Sequence, residues 1–88
     1  MRKNRTEMGI MLAILTILEE KDETIGNILK KVNVPYTRLV TYIGILKEKN
    51  LIKEIEGTNT YQITKEGLTF ITETKKFAKL LDIYGLRF

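Results

Sequence analysis

The chain of 88 residues contains a single proline, Pro35, and it sits between two stretches with helical patterning. No other residue narrows the possible folds as much. Proline lacks the amide hydrogen that an interior helical turn needs, and it biases Val34 before it away from helical angles. Asn33-Val34-Pro35 therefore ends a helix that begins after Thr24, whose hydroxyl is suited to accept a bond from an unpaired first-turn amide. Ile25, Ile28, Leu29 and Val32 form the buried face of that helix. The same proline is well suited to open the next helix, predicted from about Tyr36 to Asn50. Its inward positions are Leu39, Tyr42, Ile43 and Leu46. Asn50 is a natural stop, because asparagine tolerates the left-handed backbone that ends many helices. Two short strands follow, Leu51 to Ile55 and Thr60 to Thr64, joined by Glu56-Gly57-Thr58-Asn59. Thr60, Tyr61 and Ile63 favour extended backbone.

This block is flanked by two further helices. The first is predicted over Thr6 to Glu20, with Met8, Met11, Leu12, Leu15 and Leu18 on one face and Ile10, Ile14 and Ile17 on a neighbouring one. A helix apolar over so much of its girth must be covered on more than one side. In so short a chain the second cover is expected from another copy. Lys21-Asp22-Glu23 reads as a polar break. Thr64 caps the last helix, predicted from Lys65 to Tyr84, with Leu68 and Ile71 turned back onto the rest of the chain. Phe70, Thr74, Phe77, Leu81, Tyr84 and Phe88 recur at steps of four and three, a stripe of the kind that pairs helices. Gly85 is expected to break the helix before Phe88. The expected division is residues 1–64 as one unit and 65–88 as a helix packed on it, in a mainly α chain with a small β-hairpin, an α+β architecture.

Composition excludes several functions. One domain of this size has a modest core, and 43% hydrophobic residues suffice to fill it. Cysteine and histidine are both absent, which removes disulfides, thiolate and imidazole metal ligands and the usual neutral-pH general base. No metal or cofactor is expected. Without staples, a partner subunit is a plausible added source of stability. Glu19-Glu20 and Asp22-Glu23 are the only clusters of carboxylates, and they read as a solvated helix end rather than acid–base machinery. No glycine-rich phosphate loop occurs, so an enzyme is not expected. The net charge of +4 favours a polyanionic partner mildly. No run approaches the roughly 20 apolar residues of a membrane span. Met1-Arg2-Lys3-Asn4-Arg5 imitates a signal peptide, but Glu7 interrupts it and no small-residue cleavage site follows. A cytoplasmic, nucleoid-associated location is the expectation, with no membrane partner and no small-molecule ligand.

The order helix, turn, helix, hairpin suits a unit that lays its second helix along base edges. Taken with Tyr36-Thr37-Arg38-Leu39, Tyr42-Ile43, Leu46-Lys47-Glu48-Lys49-Asn50-Leu51-Ile52 and above all Tyr61-Gln62-Ile63-Thr64-Lys65-Glu66-Gly67, nearly the whole chain resembles the small archaeal and archaeal-virus winged-helix DNA-binding proteins of about ten kilodaltons. The resemblance implies a winged helix-turn-helix with a C-terminal dimerisation helix. It assigns DNA reading to the helix from Tyr36 and dimerisation to the helix from Lys65. Two departures stand out: Asn50 replaces a common glycine, and the wing tip carries Glu56 without lysine or arginine.

On this reading Arg38 can make a bidentate contact to guanine, while Thr37 and Thr41 can bond base edges or pack on a thymine methyl. Tyr36 and Tyr42 read first as partly buried core, with Tyr36 otherwise a phosphate donor. Lys30 and Lys31 either grip phosphates beside the turn or complement the helix dipole. Lys47 and Lys53 flank the groove, and Thr58 and Asn59 belong to the wing. Arg2, Lys3 and Arg5 form either a basic arm or an ordinary solvated terminus. Ile10, Ile14 and Ile17 join Phe70, Thr74, Phe77, Leu81 and Tyr84 in the expected homodimer interface. The functional expectation is a homodimeric, sequence-preferring double-stranded DNA-binding regulator. Its rivals are a non-specific chromatin-type coating protein and a winged-helix protein–protein adaptor.

Overall fold

The computed structural model describes residues 6–86. Four helices and three short strands follow in the order α1 (Glu7–Glu20), β1 (Glu23–Thr24), α2 (Ile25–Lys31), α3 (Tyr36–Glu48), β2 (Ile52–Glu54), β3 (Thr60–Ile63) and α4 (Lys65–Ile83). Three helices open on a threonine. Thr6, Thr24 and Thr64 accept through Oγ1 from the amides of Gly9, Asn27 and Gly67 at 2.9, 3.2 and 2.9 Å, each satisfying one of the first-turn donors a helix leaves unpaired. α3 opens instead on Pro35, which needs no amide partner there.

The sheet is antiparallel in the order β1-β3-β2. The hairpin expected from sequence is present, with Ile52 opposite Ile63 and Glu54 opposite Tyr61. The third strand was not anticipated. Glu23 and Thr24 pair with Tyr61 and Thr60, and the amide of Ile25 donates to the Asn59 carbonyl at 3.0 Å. The segment between α1 and α2 is thereby stitched to the far edge of the hairpin. It is not merely a polar break.

Ile10, Ile14, Leu15, Leu18, Ile28, Leu39, Leu46, Ile52 and Ile71 are fully buried, with Val32, Tyr42, Ile43 and Tyr61 beside them. Each such side chain contributes about 1.5–3 kcal/mol through removal from water. α1 lies at the centre, packed on α3, α4 and β3.

This corrects the assignment of two isoleucine positions. Ile10 and Ile14 are 1% and 0% exposed inside their own chain, so neither is available to a partner; Ile17 packs on the edge of the same core. Met8, expected inside, is 39% exposed instead. α1 carries two apolar faces because its own chain wraps it on both, with α4 and β3 supplying the cover that was sought in a second copy. Leu68 is also exposed, so that only Ile71 of the expected pair is buried, beside Gly67.

Glu23, expected in solvent, is buried. Its carboxylate accepts from Asn27 Nδ2 at 3.0 Å and Lys31 Nζ at 3.2 Å, with Lys21 Nζ 4.0 Å away. A buried carboxylate is tolerated only with such partners. Glu23, Asn27 and Lys31 are spaced four apart, and that repeat was the signal for this cluster. The Asn27 bond, foremost, and the two lysines hold the Glu23 carboxyl below the ordinary value, against the opposing effect of burial.

Candidate nucleic-acid interface

The geometry of α3 follows from its sequence. Leu39, Tyr42, Ile43 and Leu46 are all buried, as their spacing predicted. That anchoring leaves the opposite side outward, where Thr37, Thr41, Gly44 and Glu48 succeed one another at helical spacing. All four are exposed. Arg38 and Val40 flank this stripe, both exposed, and Val40 is an apolar surface residue that the sequence reading passed over. Tyr36 is 54% exposed and belongs to the surface, whereas Tyr42 belongs to the core. Thr41 Oγ1 donates to the Thr37 carbonyl at 3.2 Å, leaving its lone pairs able to accept from a donor outside the chain.

Gly44 lies midway along the stripe. A side-chain carbon built there would meet nothing within 4 Å, so packing within the chain does not account for glycine at this position. Its effect is to flatten the middle of the exposed face.

The expected lysines separate into two groups. Lys30 and Lys53 are exposed and make no ion pair among the described residues. Lys31 is engaged by Glu23, and Lys47 donates to Glu54 Oε1 at 3.3 Å while lying 6.0 Å from the centre of the Tyr61 ring. Lys47 thus links α3 to both strands of the hairpin. Burial chiefly, and then Glu54, raise the Tyr61 phenol above its usual pKa, with Lys47 opposing.

The wing tip is internally tied. Gly57 takes a left-handed φ of 79°, as a tight turn requires. Thr58 Oγ1 donates to the Ile55 carbonyl at 2.8 Å and accepts from the Thr60 amide at 3.0 Å. The Thr58 hydroxyl therefore shapes the turn, and the Asn59 carbonyl is occupied by Ile25. Arg2, Lys3, Arg5 and Phe88 lie outside the described residues.

On α4, Thr74 and Leu81 are only half-exposed, and Thr74 Oγ1 donates to the Phe70 carbonyl at 2.8 Å. Besides Leu68 in its first turns, Phe77, Leu80, Ile83 and Tyr84 towards its C-terminal end are exposed apolar residues, at 54%, 49%, 76% and 72%. Phe70 is half-buried and borders a wholly apolar groove of about 380 Å³ shared with Met8, Met11, Ile45, Leu46 and Leu51, with Lys49 at its rim.

Three helices, a terminal helix and a small antiparallel hairpin with its extra edge strand define a winged-helix protein. The chain belongs to the winged helix-turn-helix family, whose model matches residues 4–82. It is similar to the Methanocaldococcus jannaschii protein MJ0807, provisionally named a lyase, at 28% identity over 85 residues, which is 97% of this chain but 46% of that protein. The chain thus spans about half the length of this curated relative. Among solved structures, AF1382 from Archaeoglobus fulgidus superposes with a TM-score of 0.68 at 24% identity, over 91% of each chain. A transcriptional regulator from Clostridium thermocellum gives 0.68 at 24% identity, over 85% of this chain and 84% of that one. A mutant of Lactococcus lactis ZitR gives 0.69 at 22% identity, over 85% and 56%. At these identities the superpositions speak for the fold.

Proposed function

We propose that this chain is a transcriptional regulator that binds double-stranded DNA with sequence preference, as a homodimer, and that α3 enters the major groove. The observation that carries the reading is the division of α3. Four residues lock one side into the core, and the other side offers threonines, a glycine and Arg38 to the outside. A rigid helix with small hydrogen-bonding side chains and an arginine suits base edges. Lys30 and Lys53 are available for phosphates. The family membership and the regulator among the similar folds support the same reading.

For the dimer, the supporting feature is the apolar row Phe70, Phe77 and Leu80 on one side of α4, continued by Tyr84 at its C-terminal end; it keeps Phe70, Phe77 and Tyr84 of the expected interface and leaves out the buried Ile10 and Ile14. Phe70 and Tyr84 each lie seven residues from Phe77. Two antiparallel copies of α4 crossing at Phe77 would therefore seat Tyr84 of one against Phe70 of the other. The lyase name attached to the M. jannaschii relative is not carried over, because the match covers less than half of that protein.

The adaptor reading draws on Glu56 at the wing tip and on the internal pairing of Lys31 and Lys47. Selection of duplexes from a random pool, followed by titration of the selected duplex at two salt concentrations, decides between the two. DNA reading predicts an enriched pseudo-palindrome and a complex that weakens steeply with salt. An adaptor gives no complex even at low salt.

A further inference from the structure

α3 and α4 are joined by more than the hairpin between them. Asn50 ends α3 with a left-handed φ of 65°, and the Leu51 amide returns to the Leu46 carbonyl at 2.9 Å. The next two carbonyls are then taken by a single residue across the sheet. Thr64 Oγ1 donates to the Asn50 carbonyl at 2.8 Å, and the Thr64 amide donates to the Leu51 carbonyl at 3.0 Å. The same Oγ1 accepts from the Gly67 amide at 2.9 Å, and the Leu68 amide donates to the Thr64 carbonyl at 2.9 Å. One hydroxyl thus bonds at once to the end of α3 and to the first turn of α4.

Gly67 closes the joint. A side-chain carbon there would collide with the Leu51 carbonyl oxygen and stand 2.7 Å from Ile63 Cγ1. The first turn of α4 therefore lies directly on the backbone that leaves α3. Leu51, Ile45 and Phe70 line the adjoining groove. Backbone contact at this distance leaves no slack: α4 cannot tilt without moving the last turn of α3, or else breaking the Thr64 bonds.

We propose that Thr64 is a positioning residue that fixes the angle of α3 against α4, so that the placement of α4 sets the aim of the DNA-reading face. This rests on the DNA reading given above for its consequence, though not for the mechanical coupling itself. Serine keeps both bonds of the hydroxyl. Aspartate keeps the helix cap, since its carboxylate accepts from the Gly67 amide, but it has no proton to donate to the Asn50 carbonyl.

The test compares Thr64→Ser, Thr64→Asp and Gly67→Ala with the unaltered protein. Each is measured by helical content, by thermal melting, and by the affinity ratio between a selected duplex and a scrambled duplex of equal length. Thr64→Ser should discriminate as the parent does. Thr64→Asp should stay folded and lose discrimination on the order of tenfold, the scale of one misaligned base contact, with an unchanged salt slope. Gly67→Ala should behave likewise, by displacing α4. If Thr64 merely stabilised the fold, Thr64→Asp would lower the melting temperature and leave the ratio alone. Folded Thr64→Asp protein with the parental ratio overturns the proposal.

Native-state amide exchange on the unaltered protein supplies an arm independent of both folding of the variants and DNA. The amides of Leu51, Thr64, Gly67 and Leu68 should open as one unit with a common free energy. Opening of Gly67 and Leu68 apart from Leu51 overturns the coupling. Common opening in a protein that binds no duplex would leave the coupling standing and refute the DNA reading alone.

Discussion

At the scale of single residues, Gly44 and Glu23 break local rules in opposite directions. Glycine in an exposed helix interior costs about 0.5–1 kcal/mol relative to alanine, and nothing among the described residues crowds Gly44. Its presence makes sense if another molecule approaches the α3 backbone closely. Gly44→Ala should accordingly raise the melting temperature by a few degrees, roughly 4–8 °C per kcal/mol in a domain of this size. It should also weaken duplex binding, as fluorescence anisotropy would show. Greater stability with unchanged affinity would remove Gly44 from the contact surface. Glu23 is a charge placed where water is scarce. Because its folded pKa is lowered, it adds stability above the ordinary value of 4.5 and loses that contribution as pH falls through the lowered value. Glu23→Gln should therefore melt below the parent at neutral pH, with the gap narrowing as the pH falls below 4.5 and through the lowered value. A constant gap across that range would mean that ionisation of Glu23 contributes nothing to the fold.

At the scale of elements, α2 offers two adjacent lysines with different fates. Lys31 completes the Glu23 cluster while Lys30 faces outward. Lys30→Ala should weaken all duplexes alike with little change in melting, whereas Lys31→Ala should lower the melting temperature by leaving a buried carboxylate short of a partner. Equal melting of the two variants would contradict this division. The contrast also marks how far sequence alone reaches. The inward face of α3, the stop at Asn50 and the caps at Thr24 and Thr64 were legible because each depends on residues within one helical turn. β1 was not, since two residues become a strand only through a partner some 36 positions later, at Thr60 and Tyr61. Nor could the covers of α1 be assigned. Periodicity shows that Ile10 and Ile14 need burial, but not whether α4 or a second chain provides it. On α4, the half-exposed Thr74 and Leu81 and the exposed Leu80 occupy adjoining positions, and only packing against α1 decided between them.

At the scale of the whole molecule, the question is how a chain with a net charge of only +4 could hold a polyanion. Of the lysines first assigned to the interface, two are already paired internally, Lys31 with Glu23 and Lys47 with Glu54. Among the described residues placed here in the interface, Lys30, Arg38 and Lys53 remain to meet phosphates or bases. With about three cations per protomer, a dimer would release roughly six counterions, and log K against log salt would fall with a slope near −5. A value approaching −10 would bring in further cations such as Arg2, Lys3 and Arg5, and an N-terminal deletion should then restore the shallower slope. A slope near zero would exclude a nucleic-acid partner. The same titration reports assembly. Two α3 helices related by a two-fold axis must meet half-sites roughly 34 Å apart, a separation compatible with protomers measuring 46 × 32 × 20 Å. Inserting five base pairs between the half-sites turns one to the opposite face of the duplex, so affinity should collapse towards the non-specific level, while ten should restore part of it. Indifference to that insertion would mean that each protomer binds alone, and the apolar row on α4 would then need a different occupant.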